Sequence, residues 1–126
     1  MSTILRKLAA TRFPSISLPF ALLGLCLFSY GLLIPTLGFY WDDFPFAWIA
    51  EKMGADGLER YFSTNRPYWG LLFQVTTPIL GSEPLRWQLF AILWRWLAAC
   101  ALGSMLYLVW PRTQKLAAWS SLFFVV

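Results

Sequence analysis

The stretch GFYWDDFPFAW, residues 38–48, decides how this chain is organised, because two neighbouring carboxylates follow directly on a long apolar segment. A charged group inside hydrocarbon is costly, so Asp42 and Asp43 are expected at the water-facing end of an apolar helix. The aromatic residues around them suit the headgroup level of a bilayer. The stretch therefore predicts a membrane boundary.

The composition is typical of a membrane protein. Of the 126 residues, 59% are apolar and 13% are charged, whereas soluble domains have roughly 25% charged residues. The ten Lys and Arg residues form no dense basic run, so nucleic acid is excluded as an expected partner and the lipid bilayer is predicted instead. The chain has no His, and its two Cys residues lie in apolar segments, which excludes a Cys/His zinc site.

Upstream of the acidic pair, a basic segment precedes an apolar one. Residues 1–15 contain Arg6, Lys7 and Arg12 and no acid, and residues 16–39 are long enough to span a bilayer. A signal peptide is the alternative, but this apolar run exceeds the roughly 7–15 residues of a signal core and no small-residue cleavage site follows it. We predict a cytoplasmic N-terminus at 1–15 and a first transmembrane helix at 16–39, kinked or ended by Pro35.

Downstream, residues 40–84 hold all six acidic residues and form a predicted extracytoplasmic loop. Apolar residues at helical spacing predict a short amphipathic surface helix that starts near Pro45 and stops at Gly54. A second such piece is predicted at 57–62. Residues 68–80 are too few to span, so we interpret them as an interfacial or re-entrant helix.

The positive-inside rule decides the remaining topology. If residues 68–80 do not span, a second transmembrane helix at 85–110 runs inward and the turn 111–115, with its two cations, is cytoplasmic. Residues 116–126 then begin a third span, which predicts that the sequence is truncated. The predicted fold is all-α, one membrane domain of polytopic transmembrane helices with surface helices in an outer loop, from a larger helical membrane protein. The expected location is a bacterial-type plasma membrane.

Asp42 and Asp43 are the main candidates for chemistry. Two adjacent carboxylates can divide the work of a general base and of an orienting group or metal ligand. The structural alternative, which is equally consistent with the residue types, is that one carboxylate caps the helix entered at Pro45 and the other is solvated. A set of aromatic rings favours function, since it could form a partly desolvated floor beneath the pair: Phe39, Tyr40, Trp41, Phe44, Phe46 and Trp48.

Four further residues are candidates. A guanidinium at Arg66 can hold a phosphate with two hydrogen bonds, or can simply anchor the chain to anionic headgroups. Asn65 and Gln74 are hydrogen-bonding neighbours in sequence. Arg95 lies near the middle of the second predicted span, so a partner or a water-filled cavity is expected for it, with an ion pair as the first interpretation and a site role as the second.

These features, in this order, resemble the N-terminal end of the integral-membrane glycosyltransferases of the GT-C superfamily, especially protein O-mannosyltransferases and the aminoarabinose transferases acting on lipid A. The matching pieces are WDDF at 41–44, RPYWGLLF at 66–73 and LGSEPLRWQLFAIL at 80–93. The chain departs from the mannosyltransferase pattern in having Asp, where that pattern has Glu, as the second acid.

The resemblance implies a function for the acidic loop. Asp42 would be the base that deprotonates an acceptor hydroxyl, Asp43 its partner or the ligand of a divalent cation, and Arg66 a contact of a polyprenyl-phosphate sugar donor. Trp41, Asn65 and Arg95 would be supporting residues. The competing interpretation is a non-catalytic small membrane subunit or a transporter fragment, with the same charges in helix pairing or an ion pathway.

Overall fold

The computed structural model describes residues 17–41 and 43–126, and all the regular structure in them is helical. The predicted all-α class is confirmed for this part of the chain. The helices are α1 (Ser17–Cys26), which continues into a π-helical turn (Leu27–Gly31), α2 (Asp43–Phe62), α3 (Pro67–Leu80), α4 (Pro84–Val109), a 3₁₀ turn (Pro111–Thr113) and α5 (Gln114–Val125).

Prolines mark where several helices begin. Pro67, Pro84 and Pro111 are the first residues of α3, α4 and the 3₁₀ turn, and Pro45 lies in the first turn of α2. Proline suits these positions because the first amides of a helix have no intrahelical acceptor and the ring already holds a helical φ. The helix starts are therefore readable from the sequence.

Glycines interrupt or end two of the helices. Gly54 adopts φ 71° and ψ −170° inside α2, and Gly81 adopts φ 68° after α3 while its amide donates to the Thr77 carbonyl. These positive φ values are accessible to glycine without a Cβ penalty. The predicted stop at Gly54 is thus a sharp change of direction, after which the helix resumes and runs to Phe62.

The first apolar helix is shorter than predicted. The helical and π-helical residues end at Gly31, and residues 32–36 form turns that include Pro35. Proline has no amide hydrogen to donate to the carbonyl of Gly31, four residues earlier, so the helix cannot continue with its normal bonding. Pro78, in contrast, lies inside α3, and the helix still reaches Leu80.

Among the described residues, one helix is long and apolar enough to cross a membrane, namely α4, Pro84–Val109. The other apolar helical stretch, Ser17–Gly31, is shorter than a normal span. Many large apolar side chains are exposed, among them Phe20, Phe28 and Leu108. Exposed apolar area on this scale is characteristic of a surface covered by lipid or by other protein.

The packing of the helices divides the chain into two compact units. The terminal unit comprises Met1–Leu32 and Ala91–Val126, of which residues 17–32 and 91–126 are described. Its buried residues include Leu22, Cys26, Ala99, Ala118, Ser121 and Val125. The central unit comprises Leu33–Phe90, so that α4 begins in the central unit and ends in the terminal one.

A connected set of aromatic rings forms the core of the central unit. Phe62 and Phe73 stack with centroids 5.4 Å apart and planes inclined by 8°, and Phe46 lies 5.0 Å from Phe62. In a straight helix Phe46 and Phe62 would be separated by about 24 Å along the axis. Their contact therefore depends on the reversal at Gly54. Further ring contacts extend the set through Tyr61, Trp69, Trp87 and Phe90.

Candidate functional site

Asp43 is the first residue of α2 and is exposed to solvent. Its amide donates to the carbonyl of Tyr40 at 3.0 Å, which closes the turn that leads into the helix. A carboxylate in the first turn of a helix is favoured by the partial positive charge of the helix N-terminus. The carboxylate of Asp43 can thus stabilise the N-terminus of α2 and is also accessible to a ligand. Asp42 lies outside the described residues.

Trp41, which precedes the acidic pair, has an unusual backbone. Its φ is +45°, the left-handed region, and its side chain is 77% exposed. A bulky non-glycine residue in this region costs of the order of 1–3 kcal/mol and persists where the surroundings hold it there. The bend at Trp41 sets the direction in which the chain enters α2. Sequence patterns contain no signal for such a bend at a tryptophan.

The predicted aromatic floor beneath the acidic pair is not assembled by the described residues. Tyr40, Trp41, Phe44 and Trp48 are all more than half exposed. Phe46 packs into the aromatic core against Tyr61, Phe62 and Phe73. The rings flanking Asp43 therefore form an exposed aromatic rim, which suits contact with lipid headgroups.

Arg66 precedes α3 and has an exposed side chain. Its amide donates to the carbonyl of Phe62 at 2.8 Å, and its own carbonyl accepts from the amide of Trp69 at 2.9 Å. The main chain of Arg66 is thus fixed while the guanidinium remains accessible. The same turn includes Asn65, whose amide donates to the Phe62 carbonyl at 3.2 Å and whose side chain is exposed.

The aromatic core brings the acidic loop and Arg66 to the same part of the central unit. Asp43 lies three residues before Phe46, and Arg66 lies four residues after Phe62. The Phe46 and Phe62 rings are 5.0 Å apart, so each charged residue lies within four residues of one of the two rings in contact.

Gln74, the weaker candidate, has a different partner. Its side-chain amide donates to Oε2 of Glu59 at 3.3 Å, between α3 and α2. Gly70 is buried at the same crossing, where an added Cβ would lie 3.0 Å from the Cα of Glu59. Gln74 therefore contributes to helix packing.

The structure identifies Gln88 as a residue that sequence reasoning missed. Its Nε2 donates to the carbonyls of Leu37 at 3.0 Å and of Gly38 at 2.9 Å, at the start of the acidic stretch. Nearby, the indole of Trp87 donates to the carbonyl of Gly81 at 2.8 Å. The first turns of α4 thus hold the segment that leads to the acidic pair. A lone glutamine near the start of an apolar helix was the available signal.

Arg95 belongs to the terminal unit and has a neutral partner there. Its Nη1 donates to the hydroxyl of Tyr30 at 2.7 Å and to the carbonyl of Val125 at 3.3 Å, and its guanidinium lies 4.2 Å from the Tyr30 ring centroid. The partners of the Arg95 guanidinium are therefore a phenol and a main-chain carbonyl. Asp43 and Arg66 both lie in the central unit.

No cluster of three or more His, Cys, Asp or Glu side chains suited to a metal ion occurs within residues 17–41 and 43–126. Asp43 therefore gains no set of companion ligands from those residues.

Comparison with known proteins gives no relative: no protein-family profile matches the chain, and neither a curated protein nor a solved structure matches it significantly.

Proposed function

We propose that the chain is the N-terminal part of an integral-membrane glycosyltransferase of the GT-C type. This enzyme would transfer a sugar from a polyprenyl-phosphate donor to an acceptor hydroxyl at the extracytoplasmic face of the membrane. The observation that supports the proposal is that Asp43 and Arg66 are both exposed and belong to the same compact unit, each within four residues of a ring in the Phe46–Phe62 contact. One residue supplies a carboxylate and the other a phosphate-binding guanidinium.

The proposed membrane arrangement is multi-pass. α4 crosses the bilayer, with the acidic loop outside and the cations Arg112 and Lys115 inside. The apolar stretch Ser17–Gly31 is the proposed first crossing and α5 the proposed start of a third. At about 22 Å of helix, the first stretch needs the turns that follow it to complete the crossing. The exposed rim of Tyr40, Trp41, Phe44 and Trp48 supports an interfacial position for the loop.

The proposed reaction is an inverting displacement at the anomeric carbon. Asp42 accepts the proton of the acceptor hydroxyl while the acceptor oxygen forms a bond to that carbon. The bond from the anomeric carbon to the donor phosphate breaks, and polyprenyl phosphate departs with the electron pair. Arg66 stabilises the developing phosphate charge through charge-assisted hydrogen bonds, and Asp43 orients Asp42 or binds a divalent cation.

A non-catalytic membrane subunit or transporter fragment is the second candidate. It is favoured by the pairing of Arg95 with Tyr30, since a charge in an apolar helix is here satisfied by a neighbouring phenol inside one packed unit. On this proposal the charged residues serve helix pairing. It predicts that substitution of Asp42 or Arg66 changes assembly or transport and leaves sugar transfer in the membrane unaffected.

The distinguishing experiment expresses the complete reading frame that contains this chain and measures sugar transfer from a polyprenyl-linked donor in isolated membranes. For the transferase, Asp42→Asn is expected to lower turnover by roughly 10²–10⁴-fold, the usual contribution of a general base. Arg66→Gln should weaken use of the donor. Asp56→Asn and Arg60→Gln are the matched controls. Both remove an exposed charge on α2, and both variants should retain activity. Unchanged transfer by Asp42→Asn would exclude the proposed mechanism.

A further inference from the structure

The terminal unit contains a groove of about 1370 Å³ bordered by α1, α4, the 3₁₀ turn and α5. Its apolar lining includes Leu18 and Leu22 of α1 and Ala117 and Ala118 of α5. Small-molecule sites usually occupy about 300–1,000 Å³. A groove larger than this range, with an apolar wall formed by side chains of α1 and α5, suits an amphiphile.

One end of this groove is basic. Arg112 and Lys115 line it, on the 3₁₀ turn and at the start of α5, and its lining residues within 17–41 and 43–126 include no Asp or Glu. A ligand group placed there meets two cationic side chains. The groove therefore favours a negatively charged head over a neutral or cationic one.

Polar groups near the same end can complement a phosphate. Thr113 and Gln114 also line the groove. The Thr113 hydroxyl donates to the carbonyl of Trp110 at 3.0 Å, and no side chain caps the first turn of α5. The Gln114 side-chain amide and the two cations are thus the donors that the groove offers to a phosphate, since the Thr113 hydroxyl proton is already donated to Trp110.

We propose that this groove binds an anionic phospholipid of the surrounding bilayer. Its phosphate lies between Arg112 and Lys115, and one acyl chain follows the apolar wall. Basic pockets between membrane helices on the cytoplasmic side are suited to acidic headgroups, and the proposed topology places this end at that side. The proposal concerns a part of the protein that the glycosyl-transfer mechanism does not use.

Native mass spectrometry of the full chain, released from detergent with added phosphatidylglycerol or phosphatidylcholine, tests this directly. We expect a defined one-lipid adduct that favours phosphatidylglycerol. The double variant Arg112→Gln/Lys115→Gln should weaken that adduct by roughly 25-fold, about fivefold for each cation. The control Lys52→Gln/Arg60→Gln removes the same charge from the central unit and should leave the adduct unchanged.

A second variant tests whether the lipid binds inside the groove or only to basic side chains at the surface. Ser104 lines the groove and is exposed, so Ser104→Phe obstructs it while both cations remain. Loss of the adduct in this variant, with a retained helical circular dichroism spectrum, supports the proposal. Equal binding of the two lipids, equal loss in the charge control, an unaffected Ser104→Phe variant, or displacement of the lipid by inorganic phosphate alone would each overturn it. So would a stable dimer that excludes lipid.

Discussion

The side-chain amide of Gln88 donates to the main-chain carbonyl of Gly38 at 2.9 Å, joining residues 50 positions apart. The same nitrogen donates to the carbonyl of Leu37 at 3.0 Å. One side chain of α4 thus holds the two residues that precede the exposed aromatic and acidic stretch. Because both acceptors are main-chain groups, the contact constrains the path of the loop itself.

Gln88→Leu is expected to release this segment. The variant keeps a side chain of similar size but removes both hydrogen bonds, each of which contributes of the order of 0.5–1.5 kcal/mol. Amide hydrogen exchange of residues 37–41 should become faster, whereas exchange in α5 should not change. Gln74→Leu is the control, because its bond to Glu59 lies between α2 and α3. Unaltered exchange at 37–41 would contradict a positioning role for Gln88.

Gly70→Ala should destabilise the central unit. An added Cβ would lie 3.0 Å from the Cα and 3.1 Å from the carbonyl oxygen of Glu59, and these main-chain atoms cannot move without shifting the helix. Overpacking of this kind typically costs 1–3 kcal/mol. The measurement is thermal unfolding in detergent, followed by circular dichroism.

Gly24→Ala is the matched control for that experiment. Gly24 is also inside a helix, but an added Cβ meets no atom within 4 Å. Since alanine is favoured over glycine in a helix by up to about 1 kcal/mol, this variant should be as stable as the parent or more stable. Equal effects of the two substitutions would show that the α2–α3 crossing does not depend on glycine.

Gly103 and Ser121 should be energetically coupled. A Cβ at Gly103 would lie 2.6 Å from the Ser121 hydroxyl oxygen, which is fully buried and donates to the carbonyl of Ala117. Gly103→Ala should therefore destabilise the protein by about 1–2 kcal/mol. Adding Ser121→Ala should recover most of this loss, because the remaining Cβ contact is 3.5 Å. A double-mutant cycle on unfolding free energies measures the coupling, and simple additivity would argue against the contact.

Tyr30→Phe should weaken the terminal unit by about 1–2 kcal/mol. The substitution keeps the ring beneath the Arg95 guanidinium but removes the hydroxyl that accepts from Nη1, and hydrogen bonds to charged groups are stronger than neutral ones. Tyr107→Phe, an exposed tyrosine on the same helix as Arg95, is the control. The readout is the midpoint of denaturant unfolding. If Tyr30→Phe shifts the unfolding midpoint no more than Tyr107→Phe does, the hydrogen bond from Arg95 to the Tyr30 hydroxyl does not stabilise the terminal unit.

Much of the helical layout was predictable because it depends on local chemistry. Proline at Pro67, Pro84 and Pro111 starts helices, and glycine at Gly54 interrupts one, through limits on φ and on hydrogen bonding that act within a few residues. The extent of the first helix was overestimated because its composition stays apolar beyond Gly31, whereas its backbone geometry changes there. Hydrophobicity measures the environment that a segment favours and does not measure the length of its helix.

The exposure of Asp43 and Arg66 agrees with their charge, whereas the packing of the aromatic residues near them did not follow from the sequence. Asp43 and Arg66 are exposed and accessible, but the rings around the acidic pair are an exposed rim, since Phe46 packs into the core. The spacing of Phe46 indicates that it lies on an apolar face. The partner of that face depends on the reversal at Gly54, which local spacing does not specify.

The amino-acid sequence by itself determined the helical class, the apolar composition suited to a membrane and the chain positions of the acidic pair, Arg66 and Arg95. These follow from side-chain chemistry and from interactions over three or four residues. Tertiary structure alone decided that Phe46 meets Phe62, that Gln88 holds Gly38 and that Arg95 meets Tyr30. Such contacts join residues 16 to 65 positions apart, so they exist only once turns and helix crossings have brought distant segments together.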